Sequence, residues 1–253
     1  MYAAERQQRI LADARRDGRV EVAALAEALD VTPETVRRDL TVLERRGLLR
    51  RLHGGAIPVD RLELEPTLAT RTGRLADEKR RIASAALAHV PAEGSVILDA
   101  GSTTLAVAEL LPRDGDLTVL TNSVAAAALL AANPAVTLYL IGGRIRGVTG
   151  AAVGEWALNA LRDICVDVAF LGTNGFSSAR GLTTPDQSEA LVKRAMVGAA
   201  RRRVVLSDST KSGDDHLHRF ADLADIDLLI TDTGLDADVA AEIATLGPEV
   251  VLA

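Results

Sequence analysis

Apolar positions recur with two different periods along this chain of 253 residues, and the change of period divides it. From about Glu5 to Arg16 the spacing is helical, with Ile10, Leu11 and Ala14 on one face and Gly18 as the stop. A second helix, about Val22 to Ala28, turns Leu25, Ala26 and Leu29 toward a core, and Leu29-Asp30-Val31 forms a tight turn. A third opens at Thr32, a good N-cap, with Pro33 suited to the first helical position. Val36, Leu40 and Leu43 define its buried face at i, i+4 and i+7, and Gly47 ends it. After it, Leu48 to His53 closes at Gly54-Gly55 as a small wing.

From Asp77 the pattern becomes short apolar runs separated by helical stretches, which predicts a mostly parallel sheet in an α/β fold. Strands are expected at Val96–Leu98, Leu117–Leu120, Val136–Ile141, Val166–Leu171, Val204–Leu206, Leu228–Ile230 and Val250–Leu252. Helices are expected between them, at Leu105–Leu111, Val124–Ala131 and Asp186–Ala200. Pro58, Pro66 and Gly73 interrupt a polar stretch with little period, which reads as a linker over 58–75 between domains at 1–57 and 76–253.

The polar face of the third helix carries Glu34, Arg37, Arg38, Thr41 and Arg45, with Thr35 at its edge. Two adjacent arginines in the first turns of an exposed helix suit a major groove, where Arg meets guanine bidentately. Two short helices joined by a tight turn, the second polar outside, make a helix-turn-helix; Arg50, Arg51 and His53 of the wing then lie where backbone phosphates would pass. For His53 a plain surface position is an equal reading. The alternative for the whole segment is a three-helix bundle with a solvated charged face. Charge favours DNA: the chain carries −6 overall, residues 1–57 carry +2, residues 58–253 carry −8, and Arg37–Arg51 carries a local +4.

In open parallel sheets, ligands sit beyond the carboxyl ends of the strands. Here those ends are Asp99-Ala100-Gly101-Ser102-Thr103-Thr104, Thr121-Asn122-Ser123, Gly142-Gly143-Arg144, Gly172-Thr173-Asn174-Gly175 and Ser207-Asp208-Ser209-Thr210-Lys211. Together they describe a site for a small, hydroxylated, anionic ligand. Ser102–Thr104 at a helix start suits a phosphate or serves only as an N-cap; Gly142-Gly143 and Asn174-Gly175 read equally as turns. Of 29 basic residues, only Lys79, Lys193 and Lys211 are lysines. Lys79, in DEKRR, reads as a solvated surface charge. Lys193 forms either an i,i+4 salt bridge with Glu189 or part of the site, and Lys211 is the better phosphate candidate.

Composition excludes several classes. No run approaches the roughly 18 apolar residues of a membrane span, and no apolar core behind basic residues marks an export signal. A single cysteine, Cys165, fits a reducing cytoplasm and reads as a small buried hydrophobe. One Cys and four His argue against zinc, and 2% aromatics argue against single-strand binding by base stacking.

ERQQRI, VTPETVRRDLTVLERRG and RLHGGA resemble the N-terminal domain of the DeoR family of bacterial repressors over residues 5–57, with Thr-Pro where many members have Ser-x. LDAGSTT, VLTNS, IGGRIR, FLGTNGF, GLTTPDQSEALVKRAM and VLSDSTK resemble the effector domain of the same family, which is similar in fold to ribose-5-phosphate isomerase and sugar-phosphate deaminases. The resemblance implies a winged helix-turn-helix followed by an α/β sugar-phosphate sensor. It implies DNA contacts from Thr32, Glu34, Thr35, Arg37, Arg38, Thr41, Arg45, Arg50, Arg51 and His53. It implies an effector pocket of Asp99, Gly101, Ser102, Thr103, Thr104, Thr121, Asn122, Gly142, Gly143, Glu189, Lys193, Asp208 and Lys211. MYAAERQQ and the segment Pro66 to Arg71 look most like fructose-operon regulators of actinobacteria, which points to fructose 1-phosphate or fructose 1,6-bisphosphate.

The expected function is a cytoplasmic repressor, a homodimer or homotetramer on an operator in double-stranded DNA, with no cofactor, metal, catalytic residue or membrane partner. The alternative is an isomerase or deaminase with a DNA-binding arm, in which Asp99, Glu189 and Asp208 supply acid and base and Lys211 holds phosphate. Residues 1–57 favour the regulator, since an enzyme has no use for such a recognition helix.

Overall fold

The computed structural model describes residues 3–45, 48–52, 54–58 and 65–253, in two compact units that divide between Glu65 and Pro66. The first unit runs α1 (Ala3–Asp17), β1 (Val20–Glu21), α2 (Val22–Leu29), α3 (Pro33–Arg45), β2 (Leu49–Leu52) and β3 (Gly55–Pro58). Each helix stops or starts for a local reason. Gly18 takes φ 82° and its N–H reaches the Ala14 carbonyl at 2.8 Å, closing α1. Asp30 adopts the left-handed conformation at φ 50° and ends α2. Thr32 Oγ1 accepts the Thr35 N–H at 3.3 Å and caps α3.

Ile10, Ala14, Leu25, Leu29, Val36, Leu40 and Leu43 meet in one core, joined by Val20, Leu49 and Ala56 of the small sheet. That antiparallel sheet has the order β1-β3-β2, so the wing folds back on the strand before α2. Glycine is needed at its corner: Gly54 has φ 78°, and a Cβ on Gly55 would lie 2.1 Å from the Val20 carbonyl oxygen.

The second unit opens with α4 (Leu68–Gly73) and α5 (Ala76–Leu87), then β4 (Glu93–Leu98), α6 (Ser102–Leu110), β5 (Asp116–Thr121), α7 (Val124–Leu130) and β6 (Val136–Leu140). A hairpin β7 (Arg144–Arg146)–β8 (Ala151–Val153) and α8 (Glu155–Leu161) lead to β9 (Val166–Gly172). Then come β10 (Gly175–Ser177), β11 (Gly181–Thr184), α9 (Gln187–Gly198), β12 (Ala200–Leu206), β13 (His218–Ala221), β14 (Leu228–Thr231), α10 (Ala237–Thr245) and β15 (Glu249–Leu252). The seven strands expected from the apolar runs form one parallel sheet, β15-β14-β12-β9-β4-β5-β6. Both of its faces are covered, which is why its central strands read as unbroken apolar runs. Ile97, Ala169, Leu171 and Val205 pack on one side with α8 and α9; Val96, Leu98, Val168 and Val204 pack on the other with α5 and α6.

Strand order places the site. From β4 the chain winds outward through β5 to β6; from β9 it winds the opposite way through β12 and β14 to β15. The reversal lies between β4 and β9, where adjacent connections leave on opposite faces and open a crevice at the carboxyl ends.

Three expectations are corrected. The stretch read as a linker contains α4, which belongs to the second unit; six residues are too few to show a helical period. Cys165 is exposed, because it precedes the first residue of β9 and stays outside the sheet's core. Lys79 is buried, at 4% exposure, since it faces α4 and not solvent.

Candidate functional site

The basic face of the first unit is built on α3. Glu34, Arg37 and Arg38 are exposed, Thr32 stands exposed at its cap, and Thr35 and Thr41 are half-buried. Arg37 lies 3.4 Å from Glu34, and Thr41 Oγ1 donates to the Arg37 carbonyl at 2.8 Å. Arg51 ties the wing to this face: its guanidinium donates to Thr41 Oγ1 at 3.0 Å and its N–H to Glu44 at 3.0 Å. Asp39 points inward, accepting from Arg6 and from Gln7 Nε2, so it does not offset the arginines outside. His53 and the side chains of Arg45 and Arg50 lie outside the described residues.

In the second unit a cleft opens at the strand-order reversal. It is lined by Ala100, Gly101, Ser102 and Thr103 after β4, Gly172 at the end of β9 with Thr173 and Asn174 after it, Glu189 and Lys193 of α9, Lys211, and Arg71 of α4. Its own side chains nearly fill it, leaving about 10 Å³ for the centre of a water-sized molecule. Three cations and the amino end of α6 converge there. The first N–H groups of a helix have no intrahelical acceptor, and the helix dipole adds partial positive charge at that end. Such a cradle favours an anion.

Lys193 is fixed from below. Its ammonium donates to the Asp99 carboxylate and, at 2.9 Å, to the Gly172 carbonyl, and it lies 5.5 Å from the centre of the Phe220 ring. Asp99 also accepts the Gly172 N–H at 3.0 Å, so one carboxylate joins the ends of β4 and β9. The expected alternative, an i,i+4 bridge from Lys193 to Glu189, is not made. Glu189 instead accepts from Thr149 Oγ1 and from Arg146 at 3.2 Å, while Arg146 also reaches Asp186 at 3.2 Å. Opposite charge was available across the sheet as well as along the helix, and the buried Asp99 took it.

Lys211 donates to the Thr173 carbonyl at 2.8 Å and lies 3.7 Å from Asp208. Burial, opposed by Asp208 and reinforced by the nearby charges of Arg71, Lys79 and Lys193, pushes its ammonium down from 10.5 to about 8. All three lysines of the chain therefore meet in one region, although 132 residues separate the first from the last.

Of the expected pocket residues, Gly101, Ser102, Thr103, Glu189, Lys193 and Lys211 line the cleft, and Asp99 and Asp208 hold its lysines. Others brace it from behind. Thr104 Oγ1 donates to the Gly101 carbonyl, Thr121 Oγ1 to the Leu98 carbonyl, and Asn122 accepts the Ala100 N–H while donating to the Ala152 carbonyl. Gly142 and Gly143 do not line it. They follow the edge strand β6, and a Cβ on Gly143 would lie 2.7 Å from the Val153 carbonyl, so that glycine serves the β7–β8 hairpin. Arg71, Thr173 and Asn174 were missed. The last two stood in a strand end already noted, whereas Arg71 had only the Thr67 cap of α4 to announce its helix.

Among the described residues no group of three or more His, Cys, Asp or Glu is placed to hold a metal ion, and no helix is long and apolar enough to cross a membrane.

A helix-turn-helix unit followed by an α/β unit with a ligand cleft is the organisation of a ligand-responsive transcriptional regulator. The comparisons agree. Residues 6–61 match the DeoR-like helix-turn-helix domain, and residues 74–233 match the DeoR C terminal sensor domain. The chain is 41% identical over 255 residues to the HTH-type transcriptional regulator GlpR of Haloferax volcanii, covering 99% of this chain and 98% of the relative. It is 34% identical over 232 residues to the uncharacterized HTH-type transcriptional regulator FruR of Bacillus subtilis, covering 92% of each. Among solved structures, the ribose 5-phosphate isomerase A of Methanocaldococcus jannaschii matches at 19% identity and a TM-score of 0.40, over 54% of each chain. The chain belongs to the DeoR family of transcriptional regulators.

Proposed function

We propose that this chain is a DNA-binding repressor of a sugar-utilisation operon, released or retained according to the occupancy of its cleft by a phosphorylated sugar. One observation carries the reading: Arg71, Lys193, Lys211 and the amino end of α6 converge where the strand order reverses. Within it, Lys211 and the Ser102–Thr104 turn hold the phosphate, Glu189 flanks the remainder of the ligand, and Asp99 holds Lys193 in place. Fructose 1-phosphate and fructose 1,6-bisphosphate are the favoured ligands, on the resemblance of MYAAERQQ and Pro66–Arg71 to fructose-operon regulators. A binding role without turnover is supported by the curated relatives, which are named transcriptional regulators. Such a regulator acts in the cytoplasm. Pairing as a homodimer or homotetramer follows from the way helix-turn-helix proteins read two half-sites.

A thermal-shift series on the full chain tests the ligand class. Phosphorylated sugars should raise the melting temperature in proportion to the logarithm of concentration, and unphosphorylated fructose should not. Lys211→Met should weaken ligand binding by roughly 1.5–3 kcal/mol, the scale of a hydrogen bond to a charged group. On preformed protein–DNA complex it should hold the operator at ligand levels that release the parent. Equal release of parent and variant would remove Lys211 from the site. Turnover of a pentose or hexose phosphate by the parent would favour the enzyme reading. Sedimentation of the protein–operator complex should show at least two copies per operator; a lone monomer bound tightly would overturn the paired assembly.

A further inference from the structure

Helix α4 is short, but three separate bonds fix it within the second unit. Its first residue, Leu68, donates its N–H to the Val148 carbonyl at 2.8 Å, in the turn of the β7–β8 hairpin. That turn is held by the cleft residue Glu189, which accepts from Thr149 and Arg146. At the other end, the buried ammonium of Lys79 donates to the carbonyls of Arg71 and Arg74. The last carbonyls of a helix have no intrahelical donor and sit at the negative end of its dipole, so a cation there fixes the helix end. Between these anchors the side chain of Arg71 lines the cleft with Lys193 and Lys211.

Lys79 lies on α5 and does not line the cleft, yet it is desolvated to bond these two carbonyls. Its placement makes sense if the position of α4, and so of Arg71, matters. A guanidinium offers a planar fork matched to phosphate or carboxylate oxygens, which neither lysine can provide. We propose that Arg71 contacts the anionic ligand directly, with Lys79 as its positioning residue, and that α4 carries cleft occupancy into the chain leading to the DNA-binding unit. This assignment rests on the reading of the cleft as an anion site and adds a ligand residue and a route. The route is short in sequence, since α4 starts three residues after the end of the first unit at Glu65. A ligand that draws the Arg71 side chain or Glu189 toward itself acts on groups next to those that fix α4, since Glu189 holds the turn that carries Val148 and Lys79 bonds the Arg71 carbonyl. Such differential contacts are what coupling requires.

The test uses the full chain, fructose 1-phosphate and fructose 1,6-bisphosphate as probes, and a duplex selected from random sequence as operator. Arg71→Gln should weaken calorimetric binding of the phosphosugar by about tenfold or more. Lys79→Met should weaken it less, and Arg71→Gln/Lys79→Met should bind as Arg71→Gln alone does, because Lys79 acts through Arg71. Leu68→Pro removes the N–H given to Val148 together with the half-buried leucine side chain, and Leu68→Ala, which keeps the N–H, is its control. Proline suits the first helical position, and Thr67 already has the extended ψ of 158° that a following proline requires. This variant should keep ligand binding while the ratio of operator affinities without and with ligand, typically about 5–150 for coupled sites, falls toward one. If neither phosphosugar binds the parent, the anion reading fails. If both bind parent and Arg71→Gln alike, that reading stands and Arg71 is not a ligand residue. Additive losses in the double variant would make Lys79 merely structural, and a parental ratio in Leu68→Pro would exclude α4 as the route.

Discussion

The two charged surfaces of this protein are built in opposite ways. On α3, Arg37 and Arg38 come from one stretch of chain and stand in solvent, and Arg37 has a loose partner in Glu34 at 3.4 Å. In the cleft the cations come from three distant segments, and the two lysines are held by carboxylates and carbonyls inside the fold. The difference follows from what each must meet. A DNA groove supplies its own phosphates and bases, so the face needs only to present donors, and exposure keeps them cheap to fold. A small anion in a cleft must be matched by charges already in place, and those charges need partners before the ligand arrives. Mutations should therefore separate cleanly: one face governs binding without stability, and the other couples the two.

The largest expected effect lies at Asp99. Asp99→Ala would leave Lys193 buried without its carboxylate and should destabilise the second unit by about 3–5 kcal/mol, read as a lower unfolding midpoint in urea. Asp99→Ala/Lys193→Met should regain most of that, because no charge remains stranded. A single variant as stable as the parent would show that the pair is not what holds β4 to β9.

Next come Arg37→Ala and Arg38→Ala. Each should cost on the order of 1–3 kcal/mol at the operator if it contacts a base edge, with no shift in melting temperature. A phosphate contact would instead weaken all sequences alike and reduce the salt slope by about one. Operator binding equal to the parent in both would place recognition elsewhere.

Lys211 sharpens the comparison through pH. Its ammonium titrates at about 8 in the fold against 10.5 ordinarily, so between these values the unfolded chain binds the extra proton. Ligand-free stability should rise across that window. Affinity for a phosphate monoester, already doubly charged there, should fall as pH passes 8, approaching tenfold per unit for one linked proton. Lys211→Met should flatten the profile, and an unchanged slope would assign the proton to another group. No such profile is expected for Arg37 or Arg38, since arginine keeps its charge. The smallest effect belongs to Thr32→Ala, which loses the α3 cap and about 1 kcal/mol of stability.

Local chemistry made much of this legible. The caps at Thr32 and Gly18, the i, i+4, i+7 stripe of Val36, Leu40 and Leu43, and the seven apolar runs are consequences of backbone geometry and burial that near neighbours impose. Strands β7, β8 and β10, at three residues each, were too short to leave a period. The strand ends were read as one edge, and six of the proposed pocket residues do line one cleft.

Partners across the fold were not legible. The sequence by itself determined the three helices of the first unit, the presence of the seven parallel strands, which helix face is polar, and that polar loops would gather at one end of the sheet, because these depend on residues within a few positions of one another. Only the tertiary structure decided that Lys193 bonds Asp99 and not Glu189, that Lys79 is buried against α4, that Arg71 enters the cleft and that Gly142-Gly143 stays out of it. Each of those choices is a competition among groups tens of residues apart. The order of strands and the burial that follows from it settle such a competition; a run of letters does not rank it.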